Sequence, residues 1–169
     1  MSDKPTSPAE LRDAFLAAVR PLPTTAGGTA IVVATAGPPP AVNLLSTGDI
    51  SVADDTVRIA VFANNSLVTH LGGSCTILVP TDGYAVRVSL QPAVARPAGP
   101  LAVIEGNIVS VRPSVEPPWS LHLNFRPAEE QGRGVFVDSF VDYWTQVRSW
   151  LEQGAPGEGP QPPTSALTR

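Results

Sequence analysis

The chain has 169 residues, a formal net charge of −4 and an isoelectric point near 5.0. That length suits one domain, which at this size buries roughly 70% of the surface its unfolded chain exposes. The scarce residues exclude most. One lysine (Lys4, in a polar terminus), one cysteine (Cys75) and two histidines (His70 and His122) rule out an intrachain disulfide and a three-His or Cys/His zinc site. They also leave no lysine for Schiff-base or P-loop chemistry inside a folded site.

The acidic balance argues against a nucleic-acid surface. No apolar run reaches the ~18–20 residues of a membrane span, and the opening residues carry no signal-peptide core. A cytoplasmic location is the expectation. Residues 1–7 are expected to be flexible, 8–154 to form a single domain, and the Pro/Gly-rich stretch 155–169 to be disordered.

The first predicted element is a helix over residues 8–20. Ser7 stands at its N-cap, Pro8 in its first turn, and Leu11, Phe15 and Val19 recur at helical spacing. Residues 29–36 form a strand apolar on both faces, and residues 42–46 a second. After Asp54-Asp55, residues 56–63 alternate, with Val57, Ile59 and Val61 opposite Arg58, Ala60 and Phe62. A short helix follows, capped by Asn65 or Ser66 and closed by Gly72-Gly73.

Residues 75–79 and 84–90 flank Pro80-Thr81-Asp82-Gly83, a hairpin signal. Proline cannot donate to a central ladder, so residues 92–100 read as a loop before a long strand over 101–111. Residues 121–125 and 135–137 suit short strands. A last helix starts at Asp138 or Ser139 and places Phe140, Trp144, Val147 and Leu151 on one face, with Gly154 ending it. Sequential strands joined by turns imply a mainly β fold with flanking helices, an antiparallel sheet closing into a barrel.

Catalytic motifs are sparse. There is no GxSxG elbow, Cys75 opens an apolar strand as a small hydrophobe, and Asp54-Asp55 and Glu129-Glu130 suit turns or solvated loops. No catalytic residue is assigned. Arg87 suits a solvated or paired strand arginine, Trp144 packing, and Arg148 a surface charge. The short helix is the one feature with ligand character. Its N-terminus offers amide hydrogens and a positive partial charge, with Asn64, Asn65, Ser66, Thr69 and His70 beside it. Ordinary capping of a short helix accounts for the same residues.

Residues 41–46 (AVNLLS), 56–62 (TVRIAVF), 65–71 (NSLVTHL), 75–79 (CTILV) and 84–88 (YAVRV) together resemble the pyridoxamine 5′-phosphate oxidase-like family of FMN-binding split barrels, over about residues 24–112. The resemblance implies an FMN-dependent oxidoreductase acting on a small molecule, working as a homodimer with flavin at the interface. It implies Asn43, Leu44, Leu45 and Ser46 along the flavin ring, and Asn65, Ser66, Thr69 and His70 at its phosphate. Family members carry Arg or Lys in this last run. Here no Lys or Arg occurs between Arg58 and Arg87. A split-barrel dimer that has lost FMN, or binds another small ligand without catalysis, is the alternative.

Overall fold

The computed structural model describes residues 7–81, 84–115, 122–125 and 134–163. Helix α1 (Pro8–Val19) starts at a capping box: the Ser7 side chain accepts from the Glu10 amide, and the Glu10 carboxylate accepts from the Ser7 amide. Among the described residues eight strands follow: β1 (Gly28–Thr35), β2 (Val42–Ser46), β3 (Ile50–Ala53), β4 (Thr56–Phe62), β5 (Cys75–Thr81), β6 (Tyr84–Ala98), β7 (Leu101–Val115) and β8 (Asn124–Phe125). Helix α2 (Ser66–Thr69) lies between β4 and β5, and α3 (Gly134–Glu152) follows β8.

All pairings are antiparallel, in the order β2-β1-β5-β6-β7-β4-β3, with β8 on β1. The two ends of that order, β2 and β3, are joined by one 3-10 turn, Thr47–Asp49. Three residues span at most ~10 Å. The first and last strands of the path must therefore come together, and the sheet curls into a barrel. They are not hydrogen-bonded to each other along that seam, which makes the barrel split.

Alternation along the strands separates two cores. Ile31, Val33, Val57, Ile59, Ile77, Val86, Val88, Leu90 and Ile104 fill the barrel with Leu11, Phe15 and Val19 of α1. The opposite face of β4 and β7 gives Ala60, Leu101 and Val103, which pack with Tyr143, Val147, Trp150 and Leu151 of α3. Each large side chain so buried contributes roughly 1.5–3 kcal/mol.

Several expectations are corrected. Residues 92–100 are not a loop: β6 runs on to Ala98 and turns at Gly99-Pro100 into β7. Pro92 falls where the ladder shifts register between Leu90 and Ala93, a bulge where the missing amide hydrogen costs nothing. Residues 135–137 are helical, because α3 begins at Gly134. The stretch after Gly154 is packed as far as residue 163, where composition pointed to disorder. Ala155 is fully buried, the Gly159 amide donates to the Ala98 carbonyl, and the Trp150 indole donates to the Pro156 carbonyl. Expectations for residues 1–6, 82–83, 121, 129–130 and 164–169 lie outside the described residues. Among the described residues, no helix is long and apolar enough to cross a membrane.

Candidate functional site

A cleft of about 380 Å³ opens between β2, the ends of β4 and β7, β8 and the first half of α3. That volume lies in the range of small-molecule sites. Leu44, Leu45, Val61, Phe62, Leu101, Leu123, Phe125 and Phe140 supply apolar walls, and Ser46, Asp49, Asn65, Asn124, Tyr143 and Trp144 supply polar atoms. Aromatic rings form one side, with Phe125 and Trp144 at 5.4 Å between centroids and Phe140 and Trp144 at 5.5 Å. Val42 and Leu44 are 66% and 60% exposed on β2, the free end of the strand order.

Of the residues singled out by sequence, Leu44, Leu45, Ser46 and Asn65 meet in this cleft. Asn43, Ser66, Thr69 and His70 are not among its walls. The Asn43 carboxamide accepts from the Leu44 amide. Ser66 and Thr69 are exposed; the Thr69 hydroxyl donates to the Ser66 carbonyl, and the His70 carbonyl accepts from the Gly37 amide. The start of α2 is already capped, since Asn65 accepts from the Leu67 amide through its side chain and from the Val68 amide through its carbonyl.

The nearest arginines in sequence do not supply the cation missing from this run. Arg58 pairs across strands with Glu105, and Arg87 is exposed on β6. His122 lies at a separate hollow of about 510 Å³ with Ala14, Pro21 and Tyr84. Cys75 is 2% exposed, and burial pushes its thiol up to about 12, which keeps it protonated and unreactive.

The residue that sequence reasoning passed over is Asp49. It ends the 3-10 turn, and its carboxylate accepts from the Ser46 amide at 2.9 Å while the Ser46 hydroxyl accepts from the Gly48 amide. Trp144 of α3 lies against this turn as a further neighbour of the carboxylate. Desolvation raises its pKa from 3.8 to about 7, against the lowering pull of the Ser46 and Trp144 hydrogen bonds and of the Arg148 charge. Burial, and then Asp49 itself, raise the pKa of Tyr143. Ser46-x-x-Asp49 has capping-box spacing, and that was the one signal in the sequence.

Arg148 is also not the surface charge expected. Its guanidinium donates to the carbonyls of Val19 (2.7 Å), Arg20 (3.1 Å) and Thr47. It thus closes the C-terminus of α1 and ties that helix to the 3-10 turn and α3. Gly48 completes the arrangement: a Cβ there would stand 2.5 Å from Cγ of Trp144. Only glycine lets the indole lie over the turn.

No family model matches the chain, and no curated protein matches it. Among solved structures it is similar to BorF, the flavin reductase component of a bacterial two-component tryptophan halogenase. The identity is 13% and the TM-score 0.44, over 71% of this chain and 100% of that one. It is similar to the NADH:FAD oxidoreductase SgcE6 of Streptomyces globisporus at 13% identity and TM-score 0.45, over 79% and 98% of the two chains. An oxidoreductase of Sinorhizobium meliloti 1021, described as putative, matches at 14% identity and TM-score 0.41, over 81% and 58%.

Proposed function

We propose that the chain is a flavin-dependent oxidoreductase of the split-barrel kind that takes the flavin ring into the cleft beside β2. The observation that carries this reading is the cleft itself, a mostly apolar slot with an aromatic side and a few polar atoms at one end. A flat, amphipathic ring suits such walls: Leu44 and Leu45 would lie along it, and Phe140 and Trp144 would exclude water from it. The flavin would supply the hydride chemistry, and the protein placement and electrostatics. The resemblance of residues 24–112 to FMN-binding split barrels supports the same reading.

The residues present fit the ring and do not fit a phosphate. No Lys, Arg or His is among the described lining residues. Among the described residues, a phosphate beside Asn65 would meet only neutral donors such as the Ser66 hydroxyl, without the charge-assisted bonds worth about 1.5–3 kcal/mol each. Held by the ring alone, FMN and riboflavin bind alike. A homodimer belongs to the proposal, because Val42 and Leu44 leave an apolar patch at the cleft mouth that a second copy would cover.

The test is direct. The purified protein is examined for a flavin spectrum and titrated with riboflavin and FMN by fluorescence, and reduction of bound flavin by NADH or NADPH is followed. A colourless protein that answers neither flavin at micromolar concentration refutes the reading. The absent cation favours one rival, a non-catalytic dimer that binds another small ligand. Bound flavin that is reduced by a nicotinamide excludes that rival. Sedimentation at monomer mass removes the dimer from the proposal.

A further inference from the structure

The polar wall of the cleft holds few ionisable groups. Among the described lining residues the ionisable groups are one carboxyl, Asp49, and one phenol, Tyr143. The charged group behind them is Arg148, whose guanidinium is committed to the carbonyls of Val19, Arg20 and Thr47. It acts on Asp49 through its charge.

Asp49 is held in place by the Ser46 amide of β2, which donates to it at 2.9 Å, and the Trp144 side chain of α3 lies against the same turn. A carboxylate has about four acceptor sites. The Ser46 amide leaves acceptor capacity on a carboxyl that forms part of the cleft wall. Its position is locked by the turn, and Gly48 gives Trp144 the room to lie against it. A fixed acceptor set among apolar walls selects for a donor placed at one edge of an otherwise apolar ligand, because a buried acceptor denied its partner is costly.

We propose that Asp49 is the orienting acceptor of this cleft: a flat heteroaromatic ligand lies against Leu44 and Leu45 and donates a ring N–H to the Asp49 carboxyl. The ligand class is an uncharged heteroaromatic ring with an imide- or amide-type N–H on its edge. The inference rests on the reading that the cleft takes a flavin ring, and it adds which edge of the ring faces α3. Asp49 contributes no proton transfer here. It fixes the ring's orientation.

Two probes isolate the contact. Lumiflavin carries the ring N–H and no sugar or phosphate, and 3-methyllumiflavin differs by having that hydrogen replaced by methyl. Both are titrated against the unaltered protein by fluorescence quenching. The expected result is a loss of about 10- to 100-fold in affinity on methylation, the range of a hydrogen bond to a charged group. Asp49→Asn, checked for native fold by circular dichroism, is expected to shrink that discrimination to about threefold or less. It also flattens the rise in lumiflavin affinity that the unaltered protein shows as Asp49 ionises near neutral pH.

Equal affinity of the unaltered protein for the two probes overturns the role of Asp49 while leaving the flavin reading intact. Discrimination that survives undiminished in Asp49→Asn does the same. Failure of both probes to bind overturns the flavin reading, and this inference with it.

Discussion

A carboxyl that is harder to ionise in the folded chain than in the unfolded one makes stability depend on pH, and Asp49 predicts the sign. Its folded pKa is raised from 3.8 to about 7, so between these values the folded state holds a proton that the unfolded state has released. Stability then falls as pH rises through this window and levels off above it. A gap of about three units corresponds to about 4 kcal/mol in all, at about 1.4 kcal/mol per unit. Of this, about 2–3 kcal/mol falls between about pH 5 and pH 8.

Asp49→Asn mimics the protonated side chain, with a carbonyl to accept from Ser46 and no charge to desolvate. The expected result of urea unfolding at a series of pH values is a decline for the unaltered protein that exceeds the variant's by about 2–3 kcal/mol between those limits. The variant should be the more stable of the two at about pH 8. Parallel curves for the two proteins would refute the argument, since they would mean that the carboxylate keeps its solvation inside the cleft.

Gly48→Ala is expected to cost about 1–3 kcal/mol and to shift the Trp144 fluorescence, because the added carbon meets the indole at 2.5 Å. Thermal unfolding and the emission spectrum check both. Arg148→Met leaves the Val19, Arg20 and Thr47 carbonyls without their donor, a loss of about 2–3 kcal/mol in denaturant unfolding. It also removes the positive charge that lowers the Asp49 pKa, so the Asp49 titration should move to higher pH. Cys75, at 2% exposure and with its thiol pushed up to about 12, should resist thiol reagents in the native protein and react fully in denaturant. Fast labelling of the folded chain would show that β5 opens.

Local pattern was enough for much of the fold. The Ser7 cap and the Leu11-Phe15-Val19 stripe mark α1 within a residue of its end, and β2 spans the residues expected of it. Alternation correctly puts Val57, Ile59 and Val61 inside the barrel. Proline was the misleading signal. It marks absent donors, and at Pro92 a bulge makes no use of the donor, so one long strand looked like a strand and a loop. The Pro/Gly-rich end was misjudged for a related reason. Composition registers the weak local preference of residues 155–163, whereas Ala155 and Gly159 are held by α3 and the edge of the β6–β7 turn.

Local pattern located most of the strands and implied that they pair antiparallel, and composition left no intrachain disulfide, no three-His or Cys/His zinc site and no lysine within the folded domain. The sequence also brought forward Asn43, Leu44, Leu45 and Ser46 as one set and Asn65, Ser66, Thr69 and His70 as another, because each run resembles a known pattern; of these eight, Leu44, Leu45, Ser46 and Asn65 line the cleft. Only the tertiary structure decided what surrounds them. Closure of the sheet through Thr47–Asp49 brings that turn under α3, nearly a hundred residues later in the chain. That contact partly desolvates Asp49 and makes Arg148 a clamp on α1. Desolvation and clamping are sums over groups distant in sequence, and no local pattern carries them. A short Ser-x-x-Asp turn is therefore only a cap when read along the chain, and supplies the one carboxyl among the described lining residues of the cleft when the chain is folded.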